Sequence, residues 1–419
     1  MRHVATDTAT RNTNQYSVLL GVILTSTIFF GLYRALLAYA NPQQWPDSER
    51  YRSVTNNVFD YFSGYGPGQL VQIINLLPLE SAVAMQAFLA TALCGYAVYL
   101  VAKHNTSKAV YLFVPIIVVL LWSPWITLWD NHVLTESLTV AGIIAFAVGT
   151  GTIDYMGMLV GLVVTLLTRP LMVPLFLVVF LIISVYGIIK KKHLFGWHRM
   201  QFSIIIFMLI FASLQTITFN TAKVQFEWME RPASIQAVQA ADRLLGRMDI
   251  ESTLENARRY GLPQPEVCTL PEGRYRFAEV WTEQAEKNCP GLHAFLDNGG
   301  APWYSDLIND PFSMGKRLSE IVYTERIAYT FYDTREVPDR ISYAIDLAMW
   351  FIILFSIVSS LLLFNKHWIM RNIILFCAVG YAIALWAVDG QEVWRHMLPC
   401  LIFIPFHYLG YLSKKVVIK

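Results

Sequence analysis

Apolar runs long enough to cross a bilayer recur throughout the chain, and nothing else in it constrains the fold so strongly. Crossing about 30 Å of hydrocarbon takes roughly 20 helical residues. Ten stretches qualify by inspection: 17–40, 82–102, 109–129, 133–150, 155–168, 171–189, 201–219, 342–364, 372–388 and 396–413. From Met156 to Ile189 the apolar character is broken only at Thr168-Arg169-Pro170. One helix there would span twice, so the run is expected to divide at Arg169-Pro170.

Composition agrees with this reading. Hydrophobic residues make up 55% of the 419 and charged residues 15%, with a mean hydropathy of +0.44, outside the range of soluble domains. A formal net charge of +2 offers no basic surface for nucleic acid. Neither a glycine-rich phosphate loop nor zinc-type cysteine spacing occurs. The N-terminus, MRHVATDTATRNTNQYS, is polar, and the apolar run behind it exceeds a signal-peptide core, so it reads as an uncleaved first span.

Lys and Arg in short loops set orientation, because cytoplasmic loops are enriched in them. With the N-terminus inside, the inner side holds Arg2, Arg11, Lys103, Lys108, Lys190, Lys191, Lys192, Arg199, Lys366, Arg371, Lys414, Lys415 and Lys419, thirteen in all. The short outer loops hold four: Arg50, Arg52, Arg169 and Arg395. The expected fold is therefore an all-α polytopic membrane protein of about ten transmembrane helices with both termini cytoplasmic. A small, mostly helical extracytoplasmic domain is expected between spans seven and eight. The parts are an N-terminal transmembrane module, 1–219, with a first outer loop at 41–81, the outer domain, 220–340, and a C-terminal module, 341–419. Within the outer domain one helix is expected to end at Gly261 and a second to run from Tyr304 to Tyr332.

Cys94, Cys377 and Cys400 fall within spans and read as small packed hydrophobes. Cys268 and Cys289 are the two cysteines of the outer domain, where an oxidising compartment favours a disulfide between them. The alternative is two free thiols.

Ionisable residues gather at the outer ends of the spans, where their cost makes them functional candidates. Asp47 and Glu49 follow the first span in WPDSERYRS. Asp130, His132 and Glu136 lie in WDNHVLTESL, Arg169 in LLTRP, and Glu392, Arg395 and His396 in DGQEVWRHMLP. Arg34 and Lys223 lie near outer span ends, and Arg34 is expected to snorkel towards headgroups. Trp45, Trp122, Trp125, Trp129, Trp386 and Trp394 form the expected interfacial belt.

This layout resembles the GT-C superfamily of polytopic glycosyltransferases, which take sugars from polyprenyl phosphates. The first-loop acid, the apolar stretch Gln69 to Leu79 suited to the membrane surface, LTES, LLTRP and the Glu392-to-Pro399 segment carry the likeness. That last segment is similar to the pre-span motifs of protein mannosyltransferases and aminoarabinose transferases, with His396 where Tyr is common. The resemblance implies a base that deprotonates an acceptor hydroxyl and cations that steady the departing phosphate. Asp47 matches the first-loop acid, with Glu49 or Glu136 as substitutes. In a helix, positions 47 and 49 lie about 200° apart, so they do not act as a pair. Arg169 and Arg395 are the candidates for the lipid phosphate, with Lys223 assisting, because a guanidinium fork matches phosphate oxygens. His132, Glu392 and His396 complete the donor-binding set. Asp130, His132 and Glu136 could hold a divalent cation, but their spacing is no specific metal signature, so no metal or cofactor is assigned.

The partners implied are a polyprenyl-phosphate sugar and an envelope glycan such as lipopolysaccharide, a lipid or a protein, at the periplasmic face of a bacterial inner membrane. An O-antigen polymerase or ligase would lean on outer-loop Arg and His without a first-loop acid. A transporter or flippase for a lipid-linked sugar would place ionisable residues near the midplane, often in repeated halves, and the sequence displays neither clearly.

Overall fold

The computed structural model describes residues 2–43, 69–104, 130, 132, 135–168, 173–189, 262, 283–297, 339–363, 368–388 and 393–415. Among them the chain is helical and contains no β-strand. The helices are α1 (Arg2–Ala40), α2 (Gln69–Ile74), α3 (Leu79–His104), α4 (Glu136–Thr152), α5 (Tyr155–Thr168), α6 (Val173–Ile189), α7 (Glu283–Asn288), α8 (Leu292–Asp297), α9 (Asp339–Leu362), α10 (Trp368–Val388) and α11 (Val393–Lys415). Eight of the ten expected spans coincide with one of these helices; those at 109–129 and 201–219 lie outside the described residues, as do both expected outer-domain helices. The apolar run from Met156 to Ile189 divides into two helices, α5 ending at Thr168 and α6 beginning at Val173; Arg169 and Pro170 lie outside the described residues. Gln69 to Leu79 divides into α2 and a turn leading to Pro78, which precedes α3. α1 begins within the polar N-terminus rather than after it. Val18–Ala40 and Leu79–His104 are long and apolar enough to cross a membrane, and several shorter apolar helices accompany them.

The chain forms two compact units. The first comprises Met1–Thr216, Phe331–Val379 and Leu398–Lys419, and the second Ile217–Thr330 and Gly380–Met397. At the centre of the first lies α4, buried at every position. Its sequence, ESLTVAGIIAFAVGTGT, explains how it tolerates neighbours all round. Small residues let backbones approach where lipid supplies no hydrophobic drive between helices. A Cβ on Gly161 of α5 would lie 2.5 Å from the Gly142 carbonyl oxygen, and one on Gly149 would lie 2.5 Å from the Met158 nitrogen. Gly410 of α11 packs against the Val148 backbone, where a Cβ would stand 2.7 Å from its oxygen. Phe146 fills the space beyond, with ring centroids 4.2 Å from Phe176 and 6.2 Å from Phe403.

Hydroxyls inside this core satisfy themselves on their own helices, which makes them compatible with an apolar interior. Thr165 donates to the Gly161 carbonyl at 2.7 Å and Thr91 to Ala87 at 2.8 Å. Thr150 gives its single proton to the Ala147 carbonyl at 2.7 Å, so its oxygen accepts from His407 Nδ1 at 2.8 Å. That bond fixes the Nδ1–H tautomer of a fully enclosed imidazole.

Two helix ends are closed by specific devices. α4 stops at Ile153, which has φ 56° and ψ 44°. The amides of Ile153 and Asp154 bond the Thr150 and Gly149 carbonyls at 3.3 and 2.8 Å, a Schellman-like cap with a β-branched residue where glycine is usual. α9 ends against Arg371 of α10, whose side chain donates to the Ser360 and Leu363 carbonyls, the latter at 2.7 Å, and to Ser360 Oγ at 2.8 Å. The guanidinium carbon lies 4.2 Å over the Tyr411 ring. A cation at a helix C-terminus meets both its orphan carbonyls and its dipole. Arg371 is thus a buried cap for α9.

The helix directions are mutually consistent. Gly31 meets Phe88 and Gly95 meets Thr27, so α1 and α3 run antiparallel. α4 and α5 form an antiparallel hairpin, whereas α4 and α11 run parallel, with Phe146 by Phe403 and Thr150 by His407. α1 buries a single stripe of Ile23, Arg34 and Ala38 while Val22, Phe29, Leu32, Leu36 and others stay exposed. α9 and α10 show the same division, with Phe351, Leu354, Phe355, Ile373 and Phe376 outward. Faces of this composition suit hydrocarbon rather than water.

In the second unit, Glu286 of α7 accepts from the amides of Gly291 and His293 at 2.8 and 2.7 Å, capping α8. Cys289 between these helices is buried and disulfide-bonded. Its expected partner, Cys268, lies outside the described residues. Cys94 and Cys377 are free thiols, and Cys400 is buried.

Candidate functional site at the head of α4

The start of α4 collects polar groups from three other segments of the first unit. Arg34 is on the buried stripe of α1, which turns it inward. Its Nε and Nη2 donate to the two carboxylate oxygens of Asp130 at 2.6 and 2.7 Å, and Ser137 Oγ donates to the same carboxylate at 2.7 Å. Arg34 and Asp130 are only 4% and 6% exposed. The snorkelling expected of Arg34 is thereby corrected. Once an enclosed carboxylate is within reach, a guanidinium fork gains more from two charge-assisted bonds than from stretching to the headgroups. Its inward turn was legible in principle, since Ile23, Arg34 and Ala38 share one helical stripe. The buried Cys94 thiol of α3 lies near the same guanidinium.

Two residues on, His132 is buried, and its carbonyl accepts from Gln86 Nε2 of α3 at 3.1 Å. Its backbone forms an isolated parallel bridge with Gln43, three residues beyond the end of α1. The chain just beyond α1 therefore lies alongside the segment that carries Asp130 and His132. Glu136, the first residue of α4, is 1% exposed, with the Thr135 hydroxyl 3.5 Å from Oε2. A carboxylate in the first turn is favoured by the helix dipole. One turn further, Thr139 Oγ1 bonds Thr168 Oγ1 at 2.9 Å. This joins the head of α4 to the last residue of α5, directly before Arg169.

Of the residues read as candidates, His132 and Glu136 are described and buried, in the same stretch of chain as Asp130, which pairs with Arg34. Asp47, Glu49, Arg169, Lys223 and Glu392 lie outside the described residues. Arg395 and His396 fall in the first turn of α11, and their side chains are likewise outside. Ser137, Gln86 and Thr168 escaped the sequence reading, because their roles depend on which helices are neighbours. Among the described residues no three His, Cys, Asp or Glu side chains are grouped to hold a metal ion.

A second polar cluster closes the other end of α4, about 25 Å away at 1.5 Å per residue. Asp154 Oδ2 receives Lys103 Nζ and bonds His104 Nε2, both at 2.8 Å, and Asp154 Oδ1 accepts the Gly157 amide at 3.0 Å. Burial opposes ionisation of Asp154, but the hydrogen bonds from Lys103, His104 and the Gly157 amide prevail and lower its pKa to about 2. It is the N-cap of α5 and a staple to α3.

No protein-family model, curated protein or solved structure matches the chain.

Proposed function

We propose that the chain is a ten-span membrane glycosyltransferase of GT-C type. It moves a sugar from a polyprenyl phosphate to an envelope glycan, lipid or protein at the outer face of the cytoplasmic membrane. Asp47 is the general base, with Glu49 or Glu136 as substitutes; Arg169 and Arg395 take the leaving phosphate, aided by Lys223, and His132, Glu392 and His396 line the donor. The observation that carries the reading is the convergence of the ends of α1, α4 and α5 on one buried polar cluster, immediately before the segments bearing Asp47 and Arg169. The alternating helix directions accord with a serpentine path. The two polar clusters at opposite ends of α4 are separated by roughly the thickness of a hydrocarbon core.

In the reaction, the phosphate is already a competent leaving group, so the base and the cations are the groups the protein must supply. Asp47 takes the acceptor proton as the hydroxyl oxygen bonds to the anomeric carbon. The bond from that carbon to the phosphate oxygen breaks, and its electron pair stays with the phosphate.

The test is a panel of polyprenyl-phosphate sugars with purified protein in proteoliposomes. Wild type is expected to consume a donor and release polyprenyl phosphate, and Asp47→Asn to lower the rate by roughly 10²–10⁴-fold. Unchanged turnover in Asp47→Asn removes that residue as base. A second reading, transport of a lipid-linked sugar, is favoured by one observation. His407 is enclosed within α11, and its Nε2 has no hydrogen-bond partner among the described residues, and ionisable groups at membrane depth often mark transport routes. Donor movement across the bilayer without donor cleavage would select it.

A further inference from the structure

The Arg34–Asp130 pair is placed where a reacting carboxylate could be, yet its geometry disqualifies it from proton transfer. Both oxygens of Asp130 are engaged by the guanidinium fork, and one receives Ser137 as well. A buried ion pair of this kind is also a poor source of stability, because desolvation offsets most of the attraction and apolar replacements are often neutral. What the pair does supply is registration. It ties α1 to the segment before α4 at one point, and the Gln43–His132 bridge ties the same two segments at a second. Gln86 holds the His132 carbonyl from α3. Two ties between the same segments restrict both sliding and rotation, where a single tie would leave a pivot.

We infer that Arg34 and Asp130 are positioning residues for sugar transfer. They hold the segment carrying His132 and Glu136 in register with the start of the first outer loop, four residues before Asp47. This rests on the glycosyltransferase reading for its catalytic consequence but not for its geometry. Misplacement of reacting groups by about 1 Å lowers rates by around 10²-fold, so a clamp between two loops from different helices has a direct kinetic effect. Lysine in place of Arg34 keeps the charge and loses the fork.

The experiment has two arms. In the first, Gln43→Cys/His132→Cys is oxidised in membranes and the crosslinked peptide pair is quantified by mass spectrometry. Paired extended segments lie about 5 Å apart, within the Cα range of a disulfide. Crosslinking is expected to be near complete with Arg34 and Asp130 present, and to fall at least five-fold when Arg34→Met/Asp130→Leu or Arg34→Lys is added. Equal crosslinking in both backgrounds overturns the inference. The second arm compares kcat and KM of Arg34→Met/Asp130→Leu with wild type, at matched elution volume and Tm. A fall in kcat of at least ten-fold with KM unchanged is expected, and full kcat overturns the role. If wild type turns over no donor, the transfer reading fails alone and the crosslink still decides whether the pair positions the two loops.

Discussion

Replacing Gly161 by Ala and Gly21 by Ala should move stability in opposite directions, although both are helical glycines in apolar sequence. At Gly21 a Cβ meets nothing within 4 Å, so alanine gains about 1 kcal/mol of helix propensity. At Gly161 the same Cβ would lie 2.5 Å from the Gly142 oxygen and 2.7 Å from the Phe146 Cα. These are backbone atoms of a helix buried on all sides, so no side chain can swing away. Restoring ordinary contact requires α4 and α5 to separate by roughly 1 Å, which forfeits a quarter to a half of each dispersion well along the interface. Overpacking of this kind costs about 1–3 kcal/mol, against the same 1 kcal/mol propensity gain. The two variants should therefore differ by about 1–3 kcal/mol, or roughly 2–12 °C in Tm by the scaling of mid-sized domains. Thermal unfolding in one detergent, followed by helical circular dichroism, measures this difference. If Gly161→Ala is as stable as Gly21→Ala, the two helices do not touch through their glycines and the packing described around α4 is wrong.

Other perturbations follow from the helix ends. Ile153→Gly relieves a left-handed β-branched residue and should raise stability by about 0.5–1 kcal/mol after glycine's entropy is counted, read as a higher Tm. Asp154 has its pKa lowered from 3.8 to about 2, so its contribution is complete above about pH 4 and is lost as pH falls towards 2. Because Lys103 is substantially exposed, that contribution is about 1 kcal/mol after discounting for solvent. Asp154→Asn should remove this part of the acid-denaturation slope, with little effect on the slope above pH 5. Arg371→Lys loses the fork that meets the Ser360 and Leu363 carbonyls at the end of α9 and should cost about 2 kcal/mol, measured as a lower Tm, despite keeping the charge.

Helix positions were legible because their signals are local. Length, apolar character and the Thr168-Arg169-Pro170 interruption located α5 and α6 to within two residues. Neighbour relations were not legible in the same way. Nothing in WDNHVLTESL alone says that Asp130 is neutralised by a residue 96 positions earlier, and reading Arg34 as a headgroup contact followed from its place near a span end without its face. Thr168 reads as the polar residue ahead of Arg169, yet its hydroxyl joins α5 to α4. Each of these depends on which helix lies opposite, information that is carried by small residues on two helices at once.

Hydropathy and burial run in opposite senses here. α6, with VPLFLVVFLIISVYGII, is more apolar in sequence than α4, yet Leu181, Val178 and Val185 are exposed. α4 carries three glycines, three threonines and a glutamate, and every position is buried. In water the more apolar helix would take the centre. In hydrocarbon a leucine gains nothing by leaving lipid, whereas glycine and alanine gain contact only with another helix and threonine or glutamate needs a protein partner. A helix built from small and hydroxyl residues is therefore drawn to the middle, and its own end becomes the place where ionisable groups from α1 and the segment before α4 find partners. The position of the candidate site at the head of α4 is thus a consequence of the same physics that buries α4, and a chain with leucines at 142, 149 and 151 would lose both together.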